Sequence, residues 1–248
     1  MDRKRILNIS IDNISEQELL EKLTEGFVVT PNVDHLVKLQ KDKEFYDVYE
    51  SADIVICDSK ILALAFKFLG TPIKEAIPGS SFFSHFYEYH KDNENLKVFL
   101  LGAAEGVALK AQENINKKVG RDIIVGAHSP SYGFEKNEEE CMQIIDIINS
   151  SSATVLLVGV GAPKQEKWIY KYKDKLHNIK IFLPLGATID FEAGYVKRAP
   201  IIFQKLALEW LYRICQDPKR LISRYLVDDV IFFKYLIQQK LKLYRNPF

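Results

Sequence analysis

The chain has 248 residues, 34 Lys and Arg against 33 Asp and Glu, with 47% hydrophobic and 27% charged residues. Those are the values of a globular domain large enough to bury its own core, which excludes a disordered, collagenous or coiled-coil protein. Three scattered cysteines, Cys57, Cys141 and Cys215, include no CxxC pair, so a disulfide framework or a finger-type zinc site is not expected and a reducing cytoplasm fits best.

The first eight residues are charged and then strand-like, without the apolar core of a signal peptide, and no apolar run approaches the ~18–20 residues of a membrane span. Residues 5–11 and 27–30 read as strands, and Ser15 with Glu18 forms a capping box that opens the helix between them. An amphipathic stretch over 33–49 leads to a β-branched run at 53–57 (DIVIC) of buried-strand type. Helical patterns at 59–69, 80–90, 105–119, 136–148 and 163–176 follow, with further strands at 97–101, 122–125, 153–158 and 180–183. Alternation of helices with continuously apolar strands predicts an α/β fold, a Rossmann-like parallel sheet covered by helices on both faces. Past Pro200 the pattern changes to two helical stretches, 201–215 and 219–244, divided by Asp217-Pro218. Phe203, Ala207, Trp210 and Ile214 form a stripe on the first; Ile222, Leu226, Val230, Phe233 and Ile237 form one on the second. The second helix also carries Ile231, Phe232, Tyr235 and Leu236 off its stripe, so it needs the main body, another subunit or lipid to cover it. From Lys197 onward 11 basic residues face 4 acidic ones, a net of +7, while residues 1–196 carry −6. This divides the chain into an α/β core, 1–196, and a basic helical C-terminal appendage, 197–248, which either meets an anionic partner or carries merely solvated charge.

In open parallel sheets ligands bind beyond the carboxyl ends of the strands, so those ends are the shortlist. The strand at 27–30 runs into Thr30-Pro31-Asn32, and that at 53–57 into Asp58. The strand at 97–101 meets Gly102 and Gly106; that at 153–158 meets Gly159, Gly161, Pro163 and Gln165; that at 180–183 meets Gly186, Thr188 and Asp190. A carboxylate placed like Asp58, after an apolar run, is desolvated, which raises its pKa towards a useful base; the alternative is an N-cap for the helix near Lys60. Thr30 and Asn32 flank a proline suited to a first helical turn, and they either hold a ligand hydroxyl or cap that helix. Gly102 with Gly106, and Gly159 with Gly161, either bring backbone N–H groups to an anion or make tight βα turns.

Several chemistries lack their residues. Lys164 stands where a dinucleotide fingerprint needs its third glycine. No two of the 15 aspartates are two residues apart, so there is no DxD clamp for a divalent ion. His35, His85, His90, His128 and His177 are scattered, with no HExxH, and there is no GxSxG elbow.

Taken together the motifs resemble the WecG/TagA/CpsF glycosyltransferases, glycosyltransferase family 26. The similarity runs through Thr30-Pro31-Asn32, the strand ending in Asp58, and GVGAPKQEKW at 159–168. It continues through GATIDF at 186–191, Gly194, Arg198-Ala199-Pro200, LEWLYR at 208–213 and PKRLISRY at 218–225, and so covers about residues 5–240. The resemblance implies sugar transfer from a UDP-sugar, often N-acetylmannosamine, its uronic acid or glucose, to a polyprenyl-diphosphate-linked saccharide at the cytoplasmic membrane face. The products would feed teichoic acid linkage units, enterobacterial common antigen or exopolysaccharide. It also implies a mobile C-terminal appendage, monomer–dimer exchange, no divalent metal and no cofactor; no nucleic-acid partner is expected.

By the same resemblance Asp58 is the general base of an inverting transfer, Thr30 lies in the catalytic pocket with Asn32 supporting it, and Gln165 positions donor or acceptor. Gly102, Gly159, Gly161 and Pro163 are substrate-binding candidates, and Asp190 is a candidate for holding the uridine. With no metal to meet the departing diphosphate, arginine forks are the natural substitute. Arg213, Arg220 and Arg224 are the candidates, with Arg198 a further substrate-binding candidate, and the apolar excess of the last helix (Phe232, Phe233, Tyr235, Leu236) would seat it at the membrane surface. Two positions depart from the family pattern: Ser59 stands where glycine is usual after the aspartate, and Ser81 where an aspartate is common. Both bear on the sugar pocket, as a different donor or as lost activity. Two other readings compete: a non-catalytic, nucleotide-sugar-binding membrane module, and an NAD-type oxidoreductase, which the failed dinucleotide fingerprint disfavours.

Overall fold

A computed structural model describes residues 2–197, 199–200, 203, 211–212, 214 and 229–248. It opens with a hairpin, β1 (Arg3–Ile6) against β2 (Ile9–Asp12), Ile6 opposite Ile9. The apolar run suggests one strand over 5–11; the chain instead reverses at Leu7, whose φ is +49°. A leucine is uncommon in that left-handed region. The Leu7 N–H donates to Gln239 Oε1 at 2.7 Å, so a contact from the far end of the chain supports the turn.

Six parallel strands make the central sheet: β3 (Gly26–Val29), β4 (Ile54–Val55), β5 (Val98–Gly102), β6 (Ile124–His128), β7 (Val155–Gly159) and β8 (Ile181–Pro184). Their order is β4-β3-β8-β7-β5-β6. Successive side chains enter opposite cores, as the period of two requires: Val155 and Leu157 face one cluster, Leu156 and Val158 the other. One face is covered by α1 (Glu16–Lys22), α5 (Gly79–Tyr89), α6 (Val107–Val119) and α9 (Thr188–Ala193). The other carries α2 (Val33–Lys38), α3 (Lys43–Glu50), α4 (Lys60–Leu69), α7 (Glu138–Asn149), α8 (Lys164–Tyr172) and α10 (Asp229–Lys240). This is the expected α/β sheet with helices on both faces and a separate C-terminal helix.

Local chemistry moves several boundaries. The stretch over 33–49 is two helices, because the Asp42 side chain accepts the Phe45 N–H at 3.0 Å and restarts the chain as α3. The stretch over 163–176 is α8 followed by a 3-10 turn, Lys173–Lys175. The strand expected at 122–125 lies at Ile124–His128, and the short α9 has too few turns to give a periodic signal. The capping box at Ser15 and Glu18 forms as read.

The expected stripe of the last helix is inverted. Phe232 and Leu236, one helical turn apart, are buried among α2, α4 and the core, whereas Val230, Phe233 and Ile237 are exposed. Phe232 and Leu236 are therefore used in the core and are not available to lipid. Beyond α10, Tyr244 OH donates to Gln40 Oε1 at 2.5 Å, and Gln40 Nε2 to Asn8 Oδ1 at 2.7 Å, tying the C-terminus to the hairpin. Most of the expected helix at 201–215, and residues 219–228 of the next, lie outside the described residues. Among the described residues no helix is long and apolar enough to cross a membrane. Cys57 and Cys141 are buried and free.

Candidate active site

Because all six strands are parallel, their carboxyl ends share one edge. The strand order places Asp58 at one margin, then Thr30 and Asn32 after β3, residues 184–190 after β8, 159–165 after β7 and 102–106 after β5. β3 connects to β4 and β7 to β8 in one direction, whereas β5 connects to β6 in the other, so the crevice between opposed connections falls between β7 and β5.

Asp58 is half-buried. Its N–H donates to Pro31 O at 3.3 Å, and the Ile77 N–H to Cys57 O at 2.7 Å, which brings the start of α5 beside it. Asp58 Oδ1 then accepts the Gly79 N–H at 2.8 Å. Gly79 opens α5, whose N-cap, Pro78, offers no side-chain bond, so the carboxylate meets a helix N-terminus otherwise short of acceptors. A side chain on Gly79 would put its Cβ 2.7 Å from Leu185 Cδ2. Glycine there is what lets β4, α5 and the β8 loop converge.

The N-cap alternative for Asp58 is corrected: Ser59 caps α4, its Oγ accepting the Leu62 N–H at 3.3 Å. Its φ of −136° is ordinary extended backbone, so serine sits there without strain, and its hydroxyl is directed to the helix. Burial pushes the neighbouring Cys57 thiol up to about 12, which keeps it protonated and unreactive.

Thr30 is buried at the end of β3. Asn32 caps α2, with Oδ1 accepting the His35 N–H at 3.1 Å, so the capping role considered for it is real. Gly102 and Gly159 pair across β5 and β7. A Cβ on Gly102, at φ +134°, would stand 2.5 Å from Gly159 O, and one on Gly159 would stand 2.6 Å from Gly186 O. These glycines are demanded first by backbone packing, and the loops above them inherit their tight course. Pro163 precedes α8 as its N-cap residue.

Gln165 is 3% exposed. Its Oε1 accepts the Gly161 N–H at 3.0 Å and the Gly186 N–H at 3.2 Å; its Nε2 donates to Pro184 O at 2.9 Å and Glu166 Oε1 at 2.8 Å. The amide thus clamps the β7 loop to the β8 loop, with its four hydrogen-bonding positions in use. Asp190 is half-buried on α9, and its carbonyl accepts the Tyr195 N–H at 3.1 Å. A cleft of about 350 Å³ opens beyond β6, lined by His128, Ser129 and Glu140, at the opposite margin from Asp58. Arg198, Arg213, Arg220 and Arg224 lie outside the described residues.

The edge also holds groups the sequence reading passed over. Glu166 is completely buried beside Gln165, and Lys38 Nζ bridges Asp34 Oδ2 at 2.8 Å and Ala162 O at 3.4 Å. A glutamate inside a Gly- and Pro-rich strand-end run was the available signal for the first. Nothing in the local pattern marks Lys38.

A parallel sheet with a carboxylate on a helix N-terminus and glycine loops along one edge is the architecture of an α/β enzyme that acts on a ligand laid across that edge. The sequence profile of the glycosyl transferase WecG/TagA/CpsF family matches residues 4–246; the chain belongs to that family and is a glycosyltransferase. It is 29% identical over 205 residues to an N-acetylglucosaminyldiphosphoundecaprenol N-acetyl-beta-D-mannosaminyltransferase of Bacillus spizizenii, covering 83% of this chain and 77% of the relative. A Staphylococcus aureus enzyme of the same description is 28% identical over 225 residues, 87% of this chain and 85% of the relative.

Proposed function

We propose that this glycosyltransferase moves an amino sugar of the N-acetylmannosamine class from a UDP-sugar to a polyprenyl-diphosphate-linked saccharide, with inversion and with Asp58 as general base. One observation carries the catalytic assignment: the half-buried Asp58 carboxyl is oriented by the α5 N-terminal amide at 2.8 Å, on the sheet edge where ligands bind. The donor and acceptor classes are supported by the similar mannosaminyltransferases. Asp58 would take the proton of the acceptor hydroxyl as that oxygen bonds to the anomeric carbon. The bond from that carbon to the diphosphate oxygen breaks, and UDP leaves with the electron pair.

Thr30, buried at the end of β3 next to β4, would serve the same pocket, and Asn32, whose side-chain carbonyl oxygen caps α2, would offer its amide N–H groups to a ligand. Gln165 acts by holding the β7 and β8 loops, with Gly102, Gly159, Gly161 and Pro163 shaping the donor side and Asp190 placed for the nucleoside. Arg198, Arg213, Arg220 and Arg224 would meet the diphosphate charge in place of a metal, a reading motivated by the missing DxD. The capping role of Ser59 accounts for the serine without loss of the active edge, which favours an active enzyme over a degenerate one.

Attachment to the inner membrane face would use the outward faces of α10 and its neighbour α4. Phe233 and Ile237 on α10 and Leu64 and Phe68 on α4 are exposed, and Lys240 Nζ lies 5.5 Å from the centre of the Phe68 ring. Apolar side chains rimmed by lysine suit an anionic bilayer surface. The test of function is a donor screen with detergent-solubilised lipid-diphosphate GlcNAc, reading UDP release. Turnover with UDP-N-acetylmannosamine is expected. Turnover with only another UDP-sugar would overturn the donor assignment, and absence of UDP binding would overturn the donor-site reading altogether.

A further inference from the structure

Glu166 is the third residue of α8, and it is 0% exposed. One carboxyl oxygen accepts the Gln165 Nε2–H at 2.8 Å; the other, Oε2, has no hydrogen-bond partner among the described residues. Burying a carboxyl with half its capacity unused is unfavourable, and a leucine would be cheaper at a position that only filled space. The groups gathered on this side are Asp34, His35 and Lys38 from α2, Tyr49 from α3 and Asp58 after β4. Lys38 is bonded to Asp34 at 2.8 Å and His35 Nδ1 lies 2.7 Å from Tyr49 OH; burial first, then the neighbouring carboxyls Glu166, Asp58 and Asp34, push that phenol's pKa well above its ordinary value.

What Glu166 does for its neighbour is specific. Gln165 must present its carbonyl to the Gly161 and Gly186 N–H groups; a flipped amide would set donors against donors. Two acceptors on the Nε2 side, Pro184 O and the Glu166 carboxyl, forbid the flip, and Glu166 is the one a side-chain substitution can remove. We propose that Glu166 is a positioning residue of the transferase: its carboxyl locks the Gln165 amide, and through it the spacing of the β7 and β8 loops that receive the donor. The inference rests on the donor-edge reading above. The carboxyl performs this task as the neutral acid, with Oε1 as acceptor and the proton on Oε2. Burial first, then the nearby Asp34, pushes its pKa up to about 7, while the Gln165 hydrogen bond, its own backbone N–H and Lys38 pull it back. Above that pH a second charge appears beside Asp34, and the nearest cation, Lys38, is already held by Asp34 and by Ala162 O in the β7 loop. Recruiting Lys38 or water to Oε2 would then disturb the loop that Gln165 holds.

The test compares wild type, Glu166→Gln and Glu166→Leu in the full chain. The first variant keeps an acceptor and cannot ionise; the second removes the acceptor and packs well. Two readouts are taken: amide hydrogen exchange at Gly161 and Gly186, and the KM for the UDP-sugar donor between pH 6 and 8.5. In wild type, a loss of exchange protection, measured against the intrinsic base-catalysed rate, and a severalfold rise in donor KM are expected as pH passes about 7, with acceptor KM unmoved. Glu166→Gln should hold protection and donor KM at their low-pH values throughout. Glu166→Leu should raise exchange at both glycines and donor KM roughly tenfold at every pH, without loss of thermal stability. Unchanged exchange in Glu166→Leu, or wild-type pH dependence retained in Glu166→Gln, would overturn the inference. If exchange responds as expected but neither wild type nor variant binds UDP, the clamp stands and the donor-edge reading fails.

Discussion

Asp58 and Glu166 are both carboxyl groups just beyond the ends of strands in one sheet, yet their surroundings give them opposite characters. Asp58, at the β4 margin, is half-open and meets the N-terminal amide of an eleven-residue helix. The positive end of a helix favours a carboxylate. Glu166, over the centre of the sheet, is dry, bonded through one oxygen to a neutral amide, and pushed up to about 7. Distance from a strand end therefore says little about a carboxyl's role; the donors aimed at it and its access to water decide. On the proposals above, the same division would separate a group that exchanges a proton with substrate from one that keeps a proton to hold its neighbours.

Breaking the first half of this comparison should have the largest effect. Asp58→Asn keeps an oxygen for the Gly79 N–H, so the fold should persist while UDP release with acceptor present falls by roughly 10²–10⁴, the usual worth of a general base. Turnover equal to wild type would remove Asp58 from the mechanism.

The second half is sharpened by pH. Between its ordinary pKa of 4.5 and about 7, the unfolded chain has released the Glu166 proton that the folded chain retains, so this group's contribution falls as pH rises. The loss grows to about 3 kcal/mol by pH 7 and stays constant above it, as 1.36 kcal/mol per pKa unit requires. Glu166→Gln should abolish that fall, most visibly as a gain in urea-unfolding free energy at pH 8 and little change near pH 4.5. Equal differences between variant and wild type at both pH values would count against a buried neutral acid.

Gly102→Ala probes the frame between the two carboxyls. With φ at +134° and a Cβ 2.5 Å from Gly159 O, it should destabilise the fold by roughly 2–4 kcal/mol in the same urea assay. The smallest effect is expected at Ser59. Ser59→Ala removes the α4 cap at a cost of about 1 kcal/mol, and Ser59→Gly at a few tenths, with turnover near wild type in both. A large change in donor preference from Ser59→Gly would instead place that side chain against the sugar.

Much of the edge was legible in the chain itself. Asp58, Thr30, Asn32, Gln165 and the glycines follow apolar strands, and a parallel sheet must bring such ends together. The capping box at Ser15 was equally readable, because both of its bonds span only three residues. Where reading failed, the deciding partner was remote. The turn at Leu7 depends on Gln239, and the face that α10 buries depends on the surfaces of α2 and α4. Helical periodicity defined an apolar stripe through Val230, Phe233 and Ile237, but it could not say which side of an all-round apolar helix would find a core.

The sequence by itself determined the α/β alternation, the list of strand-end residues and the family, since these rest on period, composition and short motifs. Only the tertiary structure decided what each side chain does there. It made Ser59 rather than Asp58 the cap of α4, joined Asp58 to Gly79 of α5, closed Gln165 over two loops and left Glu166 dry beside it. Hydrogen-bond partners and desolvation are set by atoms brought from elsewhere in the chain, and only the packed structure contains them.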